Sequence, residues 1–219
     1  MKLELYFAPG ACSFVPHFAL EAVKAAAGQD YEPKMVKLHK GEHMTPEYLA
    51  LNPNAQVPLL VADGKTLTQL VAICEFLDQK FPQAGLLPRD PWERAQALST
   101  LTWFNNSVHP TFTRYFRNVK FADGEAAQQA VRDKSIGDYR DLIERIQAML
   151  SHATPYFGGA KPNVVDAYAL TLYRWGGTTG IDPATIPKFR DYIDQLAKEP
   201  AIAAALERER IPLHTYKPA

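Results

Sequence analysis

Cysteine, net charge and long apolar runs are what this sequence has least of. Its 219 residues include two cysteines, Cys12 and Cys74, too few for a disulfide-stapled secreted scaffold and in keeping with a reducing cytoplasm. The 24 Lys and Arg side chains are matched by 24 Asp and Glu, so the basic excess of a nucleic-acid-binding protein is missing. No charge-free stretch reaches the roughly 18 apolar residues of a membrane-spanning helix, and Glu4, Pro9 and Gly10 interrupt the apolar core of a signal peptide. We therefore expect a cytoplasmic protein with no nucleic-acid and no membrane partner.

Metal-binding and phosphate-binding patterns are missing as well. None of the six histidines stands at metal-ligand spacing from a second histidine with a cysteine or carboxylate partner. The paired glycines, Gly158-Gly159 and Gly176-Gly177, lack the strand-loop-helix context of a phosphate-binding loop. The sequence thus predicts that no metal is used.

The first 81 residues alternate strand-like and helical patterns. Strands are expected at residues 3–7, 31–38, 57–62 and 66–68, and helices at residues 14–27, from residue 45, and at 69–81. Asp63-Gly64 is a hairpin-turn signal, and Thr45-Pro46 is a helix start with a capping hydroxyl and a proline at the first helical position. The predicted order is βαβαββα.

A proline-rich stretch then separates this part from a purely helical one. Pro82, Pro88 and Pro91 mark a linker over residues 82–91. Helices are expected at residues 92–121, 125–151, 164–173, 187–197 and 201–208, followed by an irregular tail. The predicted domains are residues 1–81 and residues 92–219.

Three motifs in this order resemble those of the cytosolic glutathione transferases, and most closely their bacterial beta class. They are the first-loop motif at residues 8–13, the segment before a cis-proline at residues 52–58, and the Asn163 to Asp166 capping box of the helical domain. The resemblance covers nearly the whole chain. It implies a thioredoxin-like N-terminal domain that binds glutathione and an all-α C-terminal domain.

The resemblance assigns the chemistry to the first loop. Cys12 corresponds to a cysteine that forms a mixed disulfide with glutathione, and the partial positive charge of a helix N-terminus favours its thiolate. Ser13 is the alternative, either as a hydroxyl that activates the glutathione thiol or only as a helix cap. Phe7 stands where many beta-class members have a tyrosine, while Tyr6 faces the other side of the strand. Cys74 is expected to be an inert buried thiol.

The resemblance also implies a glutathione-binding set. Val57, before the cis Pro58, would pair its backbone with the cysteinyl part of glutathione, with Gln56 beside it. Gln69 and Leu70 replace the Glu or Gln followed by Ser of the family; the missing hydroxyl would cost roughly 1.5–3 kcal/mol, and the leucine is bulky enough to obstruct the γ-glutamyl end. The remaining helix N-terminal amides still suit an anion.

Cations are expected at the glycyl end, and a histidine at the reaction end. Lys37, Lys40 and His43 lie in or near the loop after the second strand, and Lys40 and His43 would bind the glycyl carboxylate, unless that loop is only a solvated surface. His109, followed by a helix-kinking Pro110, resembles a beta-class histidine that faces the cleft. A set of aromatic side chains would line a co-substrate pocket or else only fill the core: Phe112, Tyr115, Phe116, Tyr173 and Trp175.

Two functions follow from the resemblance. In the first, the protein is a glutathione-dependent transferase, with the glutathione sulfur near Cys12, acting on a hydrophobic electrophile or on glutathionylated and disulfide substrates. In the second, it is a binding or scaffold module without turnover, which Leu70 and Phe7 favour. A homodimer is implied in both cases.

Overall fold

The computed structural model describes residues 1–152 and 155–216, and its first part is a four-stranded mixed sheet with helices. The elements are β1 (Leu3–Phe7), α1 (Phe14–Ala27), β2 (Glu32–Met35), α2 (Pro46–Leu51), β3 (Leu59–Ala62), β4 (Lys65–Thr68) and α3 (Leu70–Lys80). The strand order is β2-β1-β3-β4, with β2 parallel to β1 and the other pairs antiparallel. The predicted thioredoxin-like βαβαββα fold is confirmed.

Alternation along β1 sends side chains to two different clusters. Leu5 and Phe7 belong to the main core, which includes α1 and α3, whereas Tyr6 packs on Tyr48 of α2 on the other face. Phe7 is 3% exposed, so a side chain at this position points into the core and presents no hydroxyl to the surface.

Local signals place the turns of this part correctly. Asp63 and Gly64 both have positive φ, 48° and 80°, as the predicted hairpin turn requires. The Thr45 hydroxyl caps α2 by accepting from the Tyr48 N–H. Gly28 ends α1 in the left-handed conformation.

Strand lengths differ from the prediction at two points. The second strand ends at Met35, because the chain then enters a 3₁₀ turn at Leu38–Lys40. The third strand begins at Leu59, since Pro58 has no N–H for the ladder.

The described part beyond residue 90 has helices joined by turns and irregular segments and no strand, apart from one isolated bridge between Tyr156 and Gly159. Its main elements are α4 (Pro91–Trp103), a π-helical segment (Phe104–Val108), α5 (His109–Phe116), α6 (Glu125–Met149), α7 (Val164–Thr178), α8 (Pro187–Leu196) and α9 (Pro200–Glu209). The change from mixed to helical structure follows α3, while the exact boundaries at residues 81 and 92 stay predictions. Residues 211–216 form no helix or strand, and the last three residues of the predicted tail lie outside the described range.

The single helix predicted over residues 92–121 is wrong. It is divided into α4, a five-residue π-helical segment and α5, and α5 ends at Phe116. The interruption precedes Pro110, which sits in the first turn of α5, where its missing N–H is tolerated. The π-helical segment therefore sets the orientation of α5.

Helix α7 is the central element of the second part, with nearly every side chain from Val164 to Trp175 buried. Its predicted capping box is present: Asn163 accepts from the Val165 N–H, and Asp166 accepts from the Asn163 N–H. Among the described residues, no helix is long and apolar enough to cross a membrane.

Candidate active site

A cavity of about 660 Å³ opens between the two parts of the molecule. The first part lines it with four segments, residues 8–12, 35–39, 54–58 and 68–70, and the second part with α5, α7 and the segment before α5. A concave site at the junction of two structural units is a common location for small-molecule binding.

Cys12 lies at the wall of this cavity, in the turn between β1 and α1. Its Sγ donates to the Val57 carbonyl oxygen over 3.6 Å. Burial raises the pKa of the Cys12 thiol to about 12, and the nearby backbone N–H groups, which act in the other direction, do not offset it. Burial therefore opposes the thiolate that the helix N-terminus was expected to favour.

The segment before β3 presents a free backbone donor to the same wall. The Val57–Pro58 bond is cis, as predicted. The Tyr48 hydroxyl and the Asn52 side-chain amide both donate to the Gln56 carbonyl, at 2.6 and 2.7 Å, and hold the segment in place. No described residue accepts from the Val57 N–H, which leaves an edge donor beside the cysteine.

Gln69 and Leu70 line the cavity where β4 passes into α3. Gln69 has a φ of +70°, a region that non-glycine residues rarely occupy. The Leu70 side chain is 3% exposed and packs in the core, so its bulk does not obstruct the site as the sequence suggested. The first N–H groups of α3 have no intrahelical acceptor and favour an anion.

His109 faces the cavity from the first turn of α5. Its Nδ1 lies 2.8 Å from the Tyr168 hydroxyl, and its ring packs against Trp175. Burial, helped by the positive charge of Arg117, lowers the pKa of His109 to about 4, so the imidazole is neutral at pH 7. The Tyr168 hydroxyl also lies 3.4 Å from Asn105 Oδ1; where its proton goes to His109 Nδ1, the ring proton of His109 is on Nε2.

Comparison with known proteins identifies the family. The family "Glutathione S-transferase, N-terminal domain" matches residues 1–79. The maleylacetoacetate isomerase of Pseudomonas aeruginosa is 31% identical over 209 residues, 94% of this chain and 95% of that protein. This chain belongs to the glutathione S-transferase superfamily. The glutathione S-transferase GST-4.5 of Xanthomonas campestris is 27% identical over 94% of this chain and 98% of its own. A glutathione transferase homolog from Sulfitobacter, solved with bound glutathione, superposes with a TM-score of 0.88 at 25% identity, covering 96% of this chain and 99% of its own.

Ser13 of this transferase does not reach the cavity. Its side chain is buried, and its hydroxyl accepts from the Ala8 N–H at 3.1 Å and donates to the Ala8 carbonyl at 3.2 Å. It makes no side-chain cap to α1 either. The structure disagrees both with Ser13 as a thiol-activating hydroxyl and with Ser13 as a helix cap. The Ser13 side chain instead closes the loop after β1.

The loop after β2 brings only some of its cations to the cavity. Lys37 and His39 line the cavity, whereas Lys40 and His43 do not. The loop consists of two 3₁₀ turns, Leu38–Lys40 and Glu42–Met44, which meet at Gly41 with a φ of +73°. The loop sequence identified a basic cluster, but only the path of the folded loop decides which members face the ligand.

The aromatic candidates of this transferase divide in the same way. Phe112, Phe116 and Trp175 line the cavity, while Tyr115 and Tyr173 do not. The Tyr115 hydroxyl donates to the Thr178 carbonyl, and that of Tyr173 bonds His214.

Sequence reasoning missed two arginines, Arg117 and Arg174, that line the cavity. A signal for Arg117 was present: it follows His109, Phe112 and Phe116 at the spacing i, i+3, i+7, i+8 of one helix face. No such signal exists for Arg174, because it packs against Gly10, which is far away in the chain.

Two further bonds hold the loop after β1 from a distance. Trp175 Nε1 donates to the Gly10 carbonyl at 2.9 Å, and the Gly10 N–H donates to Glu209 Oε2 at 2.8 Å. Glu209 Oε1 lies 2.8 Å from His17 Nδ1, and both side chains are buried. The last helix therefore fixes the backbone next to Cys12.

The neutral state of His109 predicts a pH-dependent stability. Its pKa falls from about 6.5 to about 4 on folding, so its contribution is complete above pH 6.5 and is lost as the pH drops through 4. In His109→Asn this loss disappears. The free energy of unfolding in urea, measured for both proteins, should therefore fall by about 3 kcal/mol more in the parent than in the variant between pH 7 and pH 4. Asp166, whose pKa burial raises to about 6, titrates alike in both and cancels. A constant difference across this range would contradict the prediction.

Proposed function

We propose that this protein conjugates glutathione to an electrophile in the cavity, with the glutathione sulfur next to Cys12. The observation that carries the proposal is the pairing of the Cys12 Sγ with the Val57 carbonyl at the cavity wall, 3.6 Å apart, beside the unpaired Val57 N–H. An extended cysteinyl residue fits such an edge as a short antiparallel strand. It would donate its N–H to the Val57 carbonyl and accept from the Val57 N–H.

The two carboxylate ends of glutathione have partners on either side. The α3 N-terminus and Gln69 take the γ-glutamyl end, where the backbone amides suit a carboxylate. Lys37 and His39 replace Lys40 and His43 as the proposed partners of the glycyl carboxylate. Main-chain contacts dominate this arrangement, which is why the replacement of the family serine by Leu70 is compatible with binding.

The reaction uses the thiol of Cys12 as a hydrogen-bond donor. Once the glutathione backbone occupies the Val57 carbonyl, the Cys12 S–H is released to donate to the glutathione thiolate. The glutathione thiol first gives its proton to water. Its sulfur then forms a bond to the electrophilic carbon, and the leaving group departs with its electron pair. His109, neutral and carrying its proton on Nε2, supplies a second donor for charge that develops on the electrophile.

A second candidate function, disulfide exchange through Cys12 itself, is favoured by the position of Cys12 at the cavity wall. It requires the Cys12 thiolate. With a pKa of about 12, only about one thiol in 10⁵ is ionised at pH 7. We therefore rank exchange second.

Substitutions of Cys12 separate the two reactions. We expect Cys12→Ala to lower kcat/KM for conjugation to a neutral chloronitrobenzene by about 10–100-fold, the worth of one hydrogen bond to a charged group. Cys12→Ser keeps a donor and should stay within a few-fold of the parent. Both variants should abolish any reduction of a glutathionylated peptide.

Calorimetric titration with glutathione decides whether the site binds at all. Heat with a dissociation constant in the millimolar range or below is expected for the parent and for Cys12→Ala. Cys74→Ala, in which the other, core thiol is removed, controls for thiol number. The non-catalytic scaffold would be the correct description if the parent shows no heat at millimolar glutathione.

The proposed assembly is a homodimer, as the resemblance implies. Sedimentation velocity should give about twice the chain mass of 24.5 kDa. A monomer at micromolar concentration would contradict it.

A further inference from the structure

The cavity is positively charged although the chain as a whole is neutral. Its lining includes three permanent cations, Lys37, Arg117 and Arg174, and no Asp or Glu among the residues that the structure describes there. With 24 basic and 24 acidic side chains in the sequence, this is a local arrangement. Low-dielectric walls strengthen such a field and attract anions.

The three cations differ in what already neutralises them. Lys37 Nζ lies 3.9 Å from Glu42 Oε1. Arg174 donates from Nε to the Pro212 carbonyl at 2.8 Å, and the charge of Glu209 acts on it. The Arg117 guanidinium makes no hydrogen bond and no ion pair with any side chain in the described ranges.

Arg117 comes from a different part of the chain than the proposed glutathione contacts, and its charge acts on both His109 and Cys12. It follows directly after α5, on the face that carries His109, Phe112 and Phe116. Phe112 stacks on Trp175 with ring centroids 4.4 Å apart and planes 11° apart, and on Phe116 at 6.0 Å and 9°. Phe116 is 65% exposed while Phe112 and Trp175 are each 8% exposed, so Phe116 and the edges of the other two rings form an apolar wall for a flat body. The guanidinium beside this wall suits a carboxylate, which it binds through two parallel N–H donors.

We propose that the second substrate is a carboxylated electrophile with an aromatic or unsaturated body, whose carboxylate binds Arg117 while its body packs on Phe112, Phe116 and Trp175. The inference rests on the proposed conjugation, since it names the partner that glutathione meets. It assigns Arg117 as the specificity residue and leaves the glutathione backbone contacts to Val57.

The test uses two conjugates that differ only in charge, S-(4-carboxybenzyl)glutathione and S-(4-carbamoylbenzyl)glutathione. Calorimetry should show that the parent protein binds the carboxylate about 10–100-fold more tightly than the amide. In Arg117→Met, which keeps the apolar stem, the ratio should fall to within about threefold of one. Arg114→Met is the matched control, because Arg114 is exposed on the same helix and does not line the cavity, and it should keep the parent ratio.

Every outcome decides something about Arg117. An unchanged ratio in Arg117→Met, or no preference in the parent, overturns the carboxylate proposal while leaving the transferase function intact. If Arg117→Met binds glutathione itself more weakly and loses the same affinity for both conjugates, Arg117 is a glutathione contact. That result also overturns the carboxylate proposal. If the parent protein binds neither glutathione nor either conjugate, the proposed function itself is wrong, and the carboxylate proposal that rests on it is overturned with it.

Discussion

Glu209→Ala should lower the free energy of unfolding by about 2–4 kcal/mol, because it removes the hydrogen-bonding partner of both Gly10 and His17, at about 1–3 kcal/mol each before relaxation. The Glu209 carboxylate accepts from the Gly10 N–H at 2.8 Å and lies 2.8 Å from His17 Nδ1. Alanine would leave the fully buried His17 Nδ1 without that partner, whereas the Gly10 N–H, which lines the cavity, could turn to water at a smaller cost. Urea unfolding followed by tryptophan fluorescence measures the effect.

The same substitution should reduce conjugation more than it reduces folded protein. Gly10 stands two residues before Cys12, so a loop released from α9 no longer holds the thiol at the Val57 carbonyl. Glu207→Ala, on the exposed face of the same helix, is the control and should cost less than about 0.5 kcal/mol. Equal losses in the two variants would show that Glu209 contributes nothing through its buried contacts.

Asp166→Ala is expected to have a comparable effect by a different route. The Asp166 carboxylate accepts from the backbone N–H groups of Phe157, Gly158 and Asn163, at 2.7, 3.1 and 2.7 Å, and from the Tyr192 hydroxyl. Its removal leaves several buried donors unpaired, at about 1–3 kcal/mol each before relaxation. We expect a net loss of about 3–5 kcal/mol in urea unfolding.

Asp166 is a folding element and touches no part of the cavity lining. In protein that remains folded, kcat/KM should therefore stay within about twofold of the parent. Asp166→Asn, which keeps one oxygen acceptor, should recover part of the stability, and the exposed Asp141→Ala should be neutral. A variant as stable as the parent would mean that water replaces the carboxylate at these donors.

Features built from neighbouring residues were predictable from the sequence. The Thr45 cap, the Asp63-Gly64 turn and the Asn163–Asp166 capping box each involve residues one to three positions apart. Their geometry follows from backbone hydrogen bonds that any chain with these residues can form. The order of these local units was sufficient for the fold.

The candidate site was predictable only in part, because its chemistry depends on distant contacts. Cys12, Val57 and His109 do line one cavity, although their binding and catalytic roles stay predictions. The position of Cys12 near a helix N-terminus suggested a low pKa, but burial in the folded chain raises it. Likewise, the cations of the loop after β2 were recognised as a class, and the path of the folded loop brings Lys37 and His39 to the cavity rather than Lys40 and His43.

The π-helical segment at Phe104–Val108 makes the site tolerant of a change in chain length. A wide turn of this kind holds one residue more than an α-helical turn. An extra residue in a regular α-helix would rotate everything that follows by about 100°, the angle per residue of an α-helix, whereas the wide turn takes that residue up locally. His109, Phe112 and Arg117 therefore keep their places at the cavity whether the turn holds five residues or is shortened to an α-helical one. Related chains can thus gain or lose a residue at this position and keep the same substrate surface.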